Sequence, residues 1–309
     1  MEYPLTEELK ADLENRIKAL NRPMQPHPTG EKARTRPLSG IRLVLFDIYG
    51  TLLTAGRGEL GVREAAAERT PASESLVAAG FTCTGDACGF HAVERLQSEI
   101  LADHAKSKRD GVDYPEVDIR DIWQRALDAL IRDGHVRGLV TPEAVQRLAI
   151  EYECRVNPAW PMPGLRETLT ALRERGIRLG IVSNAQFYTP LIMESFPETG
   201  WAAGWFDREL CAWSYELRVA KPSLRLVEHV LTLAGNRFGM APDAVLCVGN
   251  DLANDIMPAA RLGCRTALFA GDAKSLRLRA DDTLVEGIRP DAVITELKQL
   301  EKILLPAQA

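Results

Sequence analysis

Leu5, Leu9, Leu13, Ile17 and Leu20 are separated by charged residues, a spacing that predicts an amphipathic helix over 5–20. Pro23, Pro26, Pro28 and Pro37 then break the pattern, so 21–40 reads as an extended linker. A helix with one apolar stripe must cover it. Docking onto the body of the protein is the expected role, and pairing with a second copy is the alternative. Order resumes at Ile41-Arg-Leu-Val-Leu-Phe46, a strand-length run closed by Asp47. Similar runs lie at 177–182, 244–248, 265–269 and 291–294, with helical patterns between several of them. After Pro163-Gly164, for instance, Leu165, Leu169 and Leu172 share one face until Gly176. Buried strands alternating with helices predict an α/β fold, a doubly wound parallel sheet covered on both sides. The stretch 55–157 departs from this, with helical periodicity at 87–105, 115–133 and 141–153 and no strand pattern. It predicts an all-helical insertion, leaving 41–54 and 158–309 as the α/β core and 1–40 as helix and linker.

With 309 residues, 46% hydrophobic and 26% charged, the chain suits one large domain with an insertion, or two domains. Thirty-eight Lys and Arg against 43 Asp and Glu leave a net charge of −5 and no basic stripe, so neither nucleic acid nor an anionic membrane is an expected partner. No apolar run approaches the ~20 residues of a spanning helix. Met1-Glu-Tyr-Pro4 does not begin a signal peptide. The six dispersed cysteines read as reduced thiols, and a cytoplasmic protein is expected.

In an open parallel sheet, ligands bind beyond the carboxyl ends of the strands. There the chain carries Asp47-Ile-Tyr-Gly-Thr51, then Ser183-Asn184, and then Gly249-Asn-Asp-Leu-Ala-Asn-Asp255, while Lys221-Pro222 opens a helix. A lone Asp after a strand is usually a turn or cap residue. An acidic nucleophile, a hydroxyl, a lysine and an acidic pair in this order instead suit chemistry on a small anionic substrate.

These four motifs, with Trp160-Pro-Met-Pro-Gly164 and Phe206-Asp207, resemble the haloacid dehalogenase-like superfamily of hydrolases and phosphotransferases over roughly 41–300. The resemblance implies a Rossmannoid core with a helical cap over the site. It makes Asp47 the nucleophile, with Thr51 in its loop, and gives Ser183 and Asn184 the substrate's anionic oxygens. Lys221 offsets charge on the nucleophile and substrate. Mg²⁺ is the implied cofactor, with Asp47, Tyr49, Asp251 and Asp255 as the metal-side residues, although the spacing also admits Asn250 in place of Asp251. Three converging carboxylates would repel by about 4 kcal/mol per pair at ~4 Å and an effective dielectric near 20. One lysine cannot balance that, which favours a metal.

Tyr49 departs from the phosphatase pattern, which has an acid–base aspartate two residues after the nucleophile. A phenol with a pKa near 10 serves poorly there. Dehalogenases of the family have tyrosine at this position, because halide leaves without a proton. The last motif points the other way: dehalogenases have serine and asparagine where this chain has Gly249 and Asp251. Mg²⁺-dependent phosphoryl hydrolysis is the leading expectation, 2-haloacid dehalogenation the second, and a catalytically impaired phospho-ligand binder the third.

Weaker signals have plainer explanations. Gly56-Arg-Gly-Glu-Leu-Gly61 fits G-x-G-x-x-G but lies too far from the strand for a dinucleotide turn, and reads as a hinge. Cys83, Cys88, His91 and His104 lack the usual zinc spacing and read as ordinary cap residues. Arg120, Asp121 and Gln124 are polar cap candidates for substrate selection.

Overall fold

The structure is a computed structural model and describes residues 2–56 and 65–304. Thr6 caps the first helix, α1 (Glu7–Leu20), accepting the Leu9 N–H at 3.2 Å, and Leu9, Leu13 and Ile17 are buried. The stripe is therefore covered within the chain. The linker is extended, as its prolines require, and Arg34 adds an antiparallel bridge to Val293 at the edge of the main sheet.

Strand β1 (Leu43–Phe46) is buried on both faces, and β2 (Leu53–Ala55) follows Asp47 and its loop. Then come α2 (Ala65–Ala78), β3 (Thr82–Cys83), α3 (Cys88–Arg109), α4 (Ile119–Arg132), β4 (Val136–Arg137) and α5 (Pro142–Val156). The chain returns through β5 (Ala159–Pro161), α6 (Leu165–Glu174), β6 (Arg178–Ser183), α7 (Thr189–Ser195), β7 (Cys211–Trp213) and α8 (Ser214–Leu217). It ends with α9 (Arg225–Phe238), β8 (Val245–Gly249), α10 (Met257–Arg261), β9 (Arg265–Phe269), β10 (Ala292–Ile294) and α11 (Leu300–Ile303). The main sheet runs β10-β9-β8-β1-β6-β7, every pair parallel. Strands β1, β6 and β8 lie side by side, so the residues that follow them meet at one sheet edge.

Helices α2 to α5 are inserted between β2 and β5, which pair antiparallel where the chain leaves and rejoins the core, and this inserted unit is called the cap. Helix α2 escaped the periodicity reading because it is alanine-rich and contains Pro71. Strands β3 and β4 form a two-residue antiparallel pair in a stretch expected to be wholly helical. The Gly56–Gly61 hinge reading falls, apart from Gly56, outside the described residues. The cysteine expectation needs a correction. Cys83 and Cys88 form a disulfide, because the start of α3 folds back beside β3 and brings their Cα atoms to 5.6 Å. Cys154, Cys211, Cys247 and Cys264 are free and buried. Among the described residues no helix is long and apolar enough to cross a membrane.

Helix α1 spans both halves of the molecule. Lys10 pairs with Glu194 of α7 at 2.8 Å, while Asp12 pairs with Arg147 of α5 at 2.6 Å. Arg16 donates to Glu151 of α5 at 3.0 Å.

Candidate active site

Asp47 leaves the end of β1 and its carboxylate is buried. The loop behind it turns at Gly50, whose φ is +88° and where a Cβ would lie 2.6 Å from the Ser275 Cβ. The Ser183 hydroxyl, at the end of β6, donates to Asp47 Oδ1 at 3.1 Å. Thr51 donates to Asn250 Oδ1 at 3.0 Å and stands 3.4 Å from Asp47 Oδ2. Lys221 donates to Asp47 Oδ1 at 2.7 Å, to Asp255 Oδ1 at 2.6 Å and to the Val182 carbonyl at 3.2 Å. Gly249 makes room for this cluster, since a Cβ there would meet the Asp255 carboxyl carbon at 2.2 Å.

The electrostatics follow from burial. Desolvation alone would lower the Lys221 pKa, but Asp255 and Asp47 hold it raised and the ammonium stays charged. Asp255 is pushed up to about 7, chiefly by burial, with the charges of Asp47 and Asp251 adding to it against Lys221. Two buried carboxylates thus share one ammonium.

Asp251 and Asn184 make contacts that motif spacing does not show. The Asp251 carboxylate accepts the Ala253 and Asn254 N–H groups at 2.8 and 3.1 Å, capping the turn that begins at Leu252, and Arg279 closes on it at 2.6 Å. Its charge is neutralised away from Asp47, and Asn250 stands beside Thr51 instead. Asn184 clamps the Lys221 main chain, accepting its N–H at 2.7 Å and donating to its carbonyl at 3.3 Å. It positions the lysine. The Tyr49 hydroxyl lies 3.0 Å from Thr189 Oγ1 at the start of α7. Burial, and then the charge of Glu153, push its pKa well above the ordinary value, so it is a neutral phenol unsuited to acid–base work.

Among the described residues no three histidines, cysteines or carboxylates converge as a ready-made metal cage. The buried set still fits a divalent cation. Asp47, Asp255 and the Asn250 amide oxygen are hard oxygen donors, and two carboxylates against one ammonium leave a net negative charge. Mg²⁺ typically uses one or two carboxylates together with substrate and water. With its phenol bonded to Thr189, Tyr49 would contribute only its main-chain carbonyl.

Between cap and core lies a cavity of about 340 Å³. Asn184, Ala185, Gln186 and Ala220, which flank Ser183 and Lys221 in sequence, form its core side. From the cap, Glu153 accepts the Tyr188 hydroxyl at 2.9 Å. Gln186 stitches the two halves, accepting the Ile119 N–H and donating to the Val117 carbonyl, both at 2.9 Å. The polar cap candidates lie elsewhere. Arg120 forks onto Asp118, Asp121 pairs with Arg218 at 2.9 Å, and Gln124 accepts the Tyr3 hydroxyl at 2.9 Å. Sequence alone did not single out Arg279, Gln186 or Glu153. Only tertiary closure makes them neighbours of the site, whereas the spacing of the last motif did admit Asn250.

Among curated proteins, the chain is 31% identical over 144 residues to glyceraldehyde 3-phosphate phosphatase of Methanothermobacter thermautotrophicus, covering 47% of this chain and 58% of that protein. It is 30% identical over 146 residues to pyrimidine 5′-nucleotidase YjjG of Escherichia coli, covering 47% of this chain and 56% of the relative. The chain therefore spans little more than half the length of these relatives. A solved 2-haloacid dehalogenase from Pseudomonas syringae pv. Tomato DC3000 shares the fold, with a TM-score of 0.53 at 22% identity, covering 85% of this chain and 97% of that one. The family model for haloacid dehalogenase-like hydrolases matches residues 41–263. That match contains all four motifs and most of the parallel sheet that gathers them, and the chain belongs to the haloacid dehalogenase-like hydrolases.

Proposed function

We propose that the protein hydrolyses a small phosphate monoester through an aspartyl-phosphate at Asp47, with Mg²⁺ as cofactor. The observation that carries this reading is the Lys221 ammonium shared between Asp47 and Asp255, at 2.7 and 2.6 Å. A second buried carboxylate beside the nucleophile suits a site that receives a cation with its anionic substrate. The names of the two curated relatives, a phosphatase and a nucleotidase, support the same reading.

Asp47 supplies the attacking oxygen, which takes the place of the leaving oxygen on phosphorus. Lys221 offsets charge on the nucleophile and on the transferring group, and Asn184 fixes the lysine's main chain. The Ser183 hydroxyl, now on Asp47, is placed to donate to a phosphoryl oxygen. Asp47, Asp255, Asn250 and the Tyr49 carbonyl would hold Mg²⁺, which supplies charge neutralisation and Lewis-acid polarisation when bound. Tyr49, a buried phenol of raised pKa engaged with Thr189, is a poor proton donor to a departing alkoxide, so good leaving groups are favoured.

Tyr49 also favours a second reading, hydrolysis of 2-haloacids, in which the leaving halide requires no proton. A panel of phosphate esters and 2-haloacids, assayed with Mg²⁺ and with chelator, separates the two. Metal-dependent release of phosphate supports the first reading. Metal-independent release of halide replaces it with the second.

A further inference from the structure

Two cysteines and two histidines meet on the cap, and none of them belongs to the four motifs. Cys83 ends β3 and Cys88 begins α3, with their Cα atoms 5.6 Å apart. His91 follows Cys88 by one helical turn, its N–H donating to the Ala87 carbonyl at 3.0 Å, so the two side chains share a face of α3. His135 arrives from elsewhere in the chain, immediately before β4. The Thr84 N–H donates to the His135 carbonyl at 3.1 Å and the Thr84 hydroxyl to the Gly134 carbonyl at 2.7 Å, which pins His135 beside the residue after Cys83. Its ring lies flat on that of His91, centroids 3.7 Å apart and planes at 16°. The second histidine of the cluster is thus His135, and not the His104 that lies nearer in sequence.

The patch has a firm backing. Pairing of β3 with β4 sets Cys83 opposite Val136, and Gly89 lets the start of α3 lie directly on α2, where any Cβ would collide with the Arg69 carbonyl. Among the described residues neither imidazole makes a hydrogen bond, and 30% of the His91 side chain is open to solvent. These four side chains are the donors of a Cys₂His₂ zinc site, and the C-x₄-C spacing of the cysteines is within its usual range. Bonds of ~2.3 Å to sulfur and ~2.0 Å to nitrogen at tetrahedral angles put two sulfurs roughly 3.8 Å apart and two nitrogens roughly 3.3 Å apart. With the S–S bond open, side-chain rotation at this Cα separation reaches the first spacing, and the stacked rings need only tilt together at one edge to reach the second.

We propose that Cys83, Cys88, His91 and His135 bind Zn²⁺ in the reduced protein, and that the disulfide is the metal-free, oxidised form of the same site. While the sulfurs are bonded to each other, the four are no ready-made cage. Two molecules of a small thiol open the bond, becoming one disulfide as Cys83 and Cys88 become thiols. Zn²⁺ then displaces both thiol protons to water, and two thiolates balance its charge. The metal ties the β3–β4 pair to the start of α3, a task that falls to Cys83 and Cys88 alone in the oxidised chain.

The test uses the full chain reduced by a phosphine, which takes an oxygen from water to become its oxide. Co²⁺ is the probe, because thiolate ligands give it a near-ultraviolet charge-transfer band that the oxygen donors around Asp47 cannot. The reduced parent should take up one equivalent with that band and with the visible absorption of a tetrahedral ion, and Zn²⁺ should displace it. The oxidised parent should show no such band. Cys83→Ser with Cys88→Ser should abolish it, although Cys154, Cys211, Cys247 and Cys264 remain. His91→Ala and His135→Ala should each weaken Co²⁺ binding by at least about 10-fold, since loss of a mere partner of a ligand already costs 10- to 100-fold. A pair that the phosphine cannot open, or a reduced parent without the band, overturns the proposal. So does a band that survives the double cysteine substitution, or a histidine variant that binds as tightly as the parent. The parent spectrum and the histidine variants decide the matter even if the double variant does not fold.

Discussion

Arg279 closes on Asp251 at 2.6 Å, and the carboxylate that the motif spacing marks as a metal ligand is held instead by a guanidinium and by the N–H groups of its own helical turn. Asp251→Ala should therefore lower stability by about 1–2 kcal/mol, through loss of a cap and of a partly exposed ion pair. The rise in melting temperature on adding Mg²⁺ should survive that change and disappear in Asp255→Asn. Thermal unfolding of both variants with and without Mg²⁺ decides the matter; the opposite pattern would return Asp251 to the metal.

Asp47→Asn should abolish turnover while leaving circular dichroism and melting temperature close to the parent's. Lys221→Met should lower kcat by about 10²- to 10³-fold, the usual cost of removing one preorganised charge stabiliser. Rapid-quench detection of an acid-stable aspartyl-phosphate in the parent, absent from Asp47→Asn, is the direct check.

Tyr49→Asp should help most with poor leaving groups. Aryl phosphates should outrun alkyl phosphates in the parent, and a carboxyl two residues after Asp47 should narrow that gap by as much as about 10²- to 10⁴-fold. An unchanged alkyl-to-aryl ratio in an active variant would mean that another group delivers the proton.

His104 gives a pH signature. Its folded pKa lies below the ordinary value because of burial, so the unfolded chain binds the proton more readily. Stability from this residue is fully present above the unfolded pKa near 6.5 and declines as the pH falls below it. His104→Leu should flatten that part of the curve relative to the parent in denaturant titrations. Parallel curves for the two proteins would show that His104 binds its proton equally well in the folded and unfolded states.

The parallel sheet was legible because β1, β6 and β8 are buried on both faces and read as unbroken apolar runs. Asp47, Ser183 and Lys221 were legible because strand ends and helix starts fix where such residues gather. The partner of Asp251 was not legible, because motif spacing does not show which way a side chain turns, and Arg279 lies 28 residues later. The Cys83–Cys88 bond was missed because two cysteines five residues apart are ambiguous until a helix begins at the second of them. The unpaired indole N–H of Trp123 carries no sequence mark, since on an apolar helix face it looks like any core aromatic.

The placement of α1 limits how the site can be entered. Lys10 is tied to the core and Asp12 to the cap, two residues and about 3 Å apart along one helix axis. A wide swing of the cap about the β2–β5 junction must tear one of those ties and uncover Leu9, Leu13 or Ile17. The doorway can breathe only as far as that rigid brace allows. Opening the cap widely would thus disturb the ties and packing of a segment that makes no contact with Asp47 or Lys221.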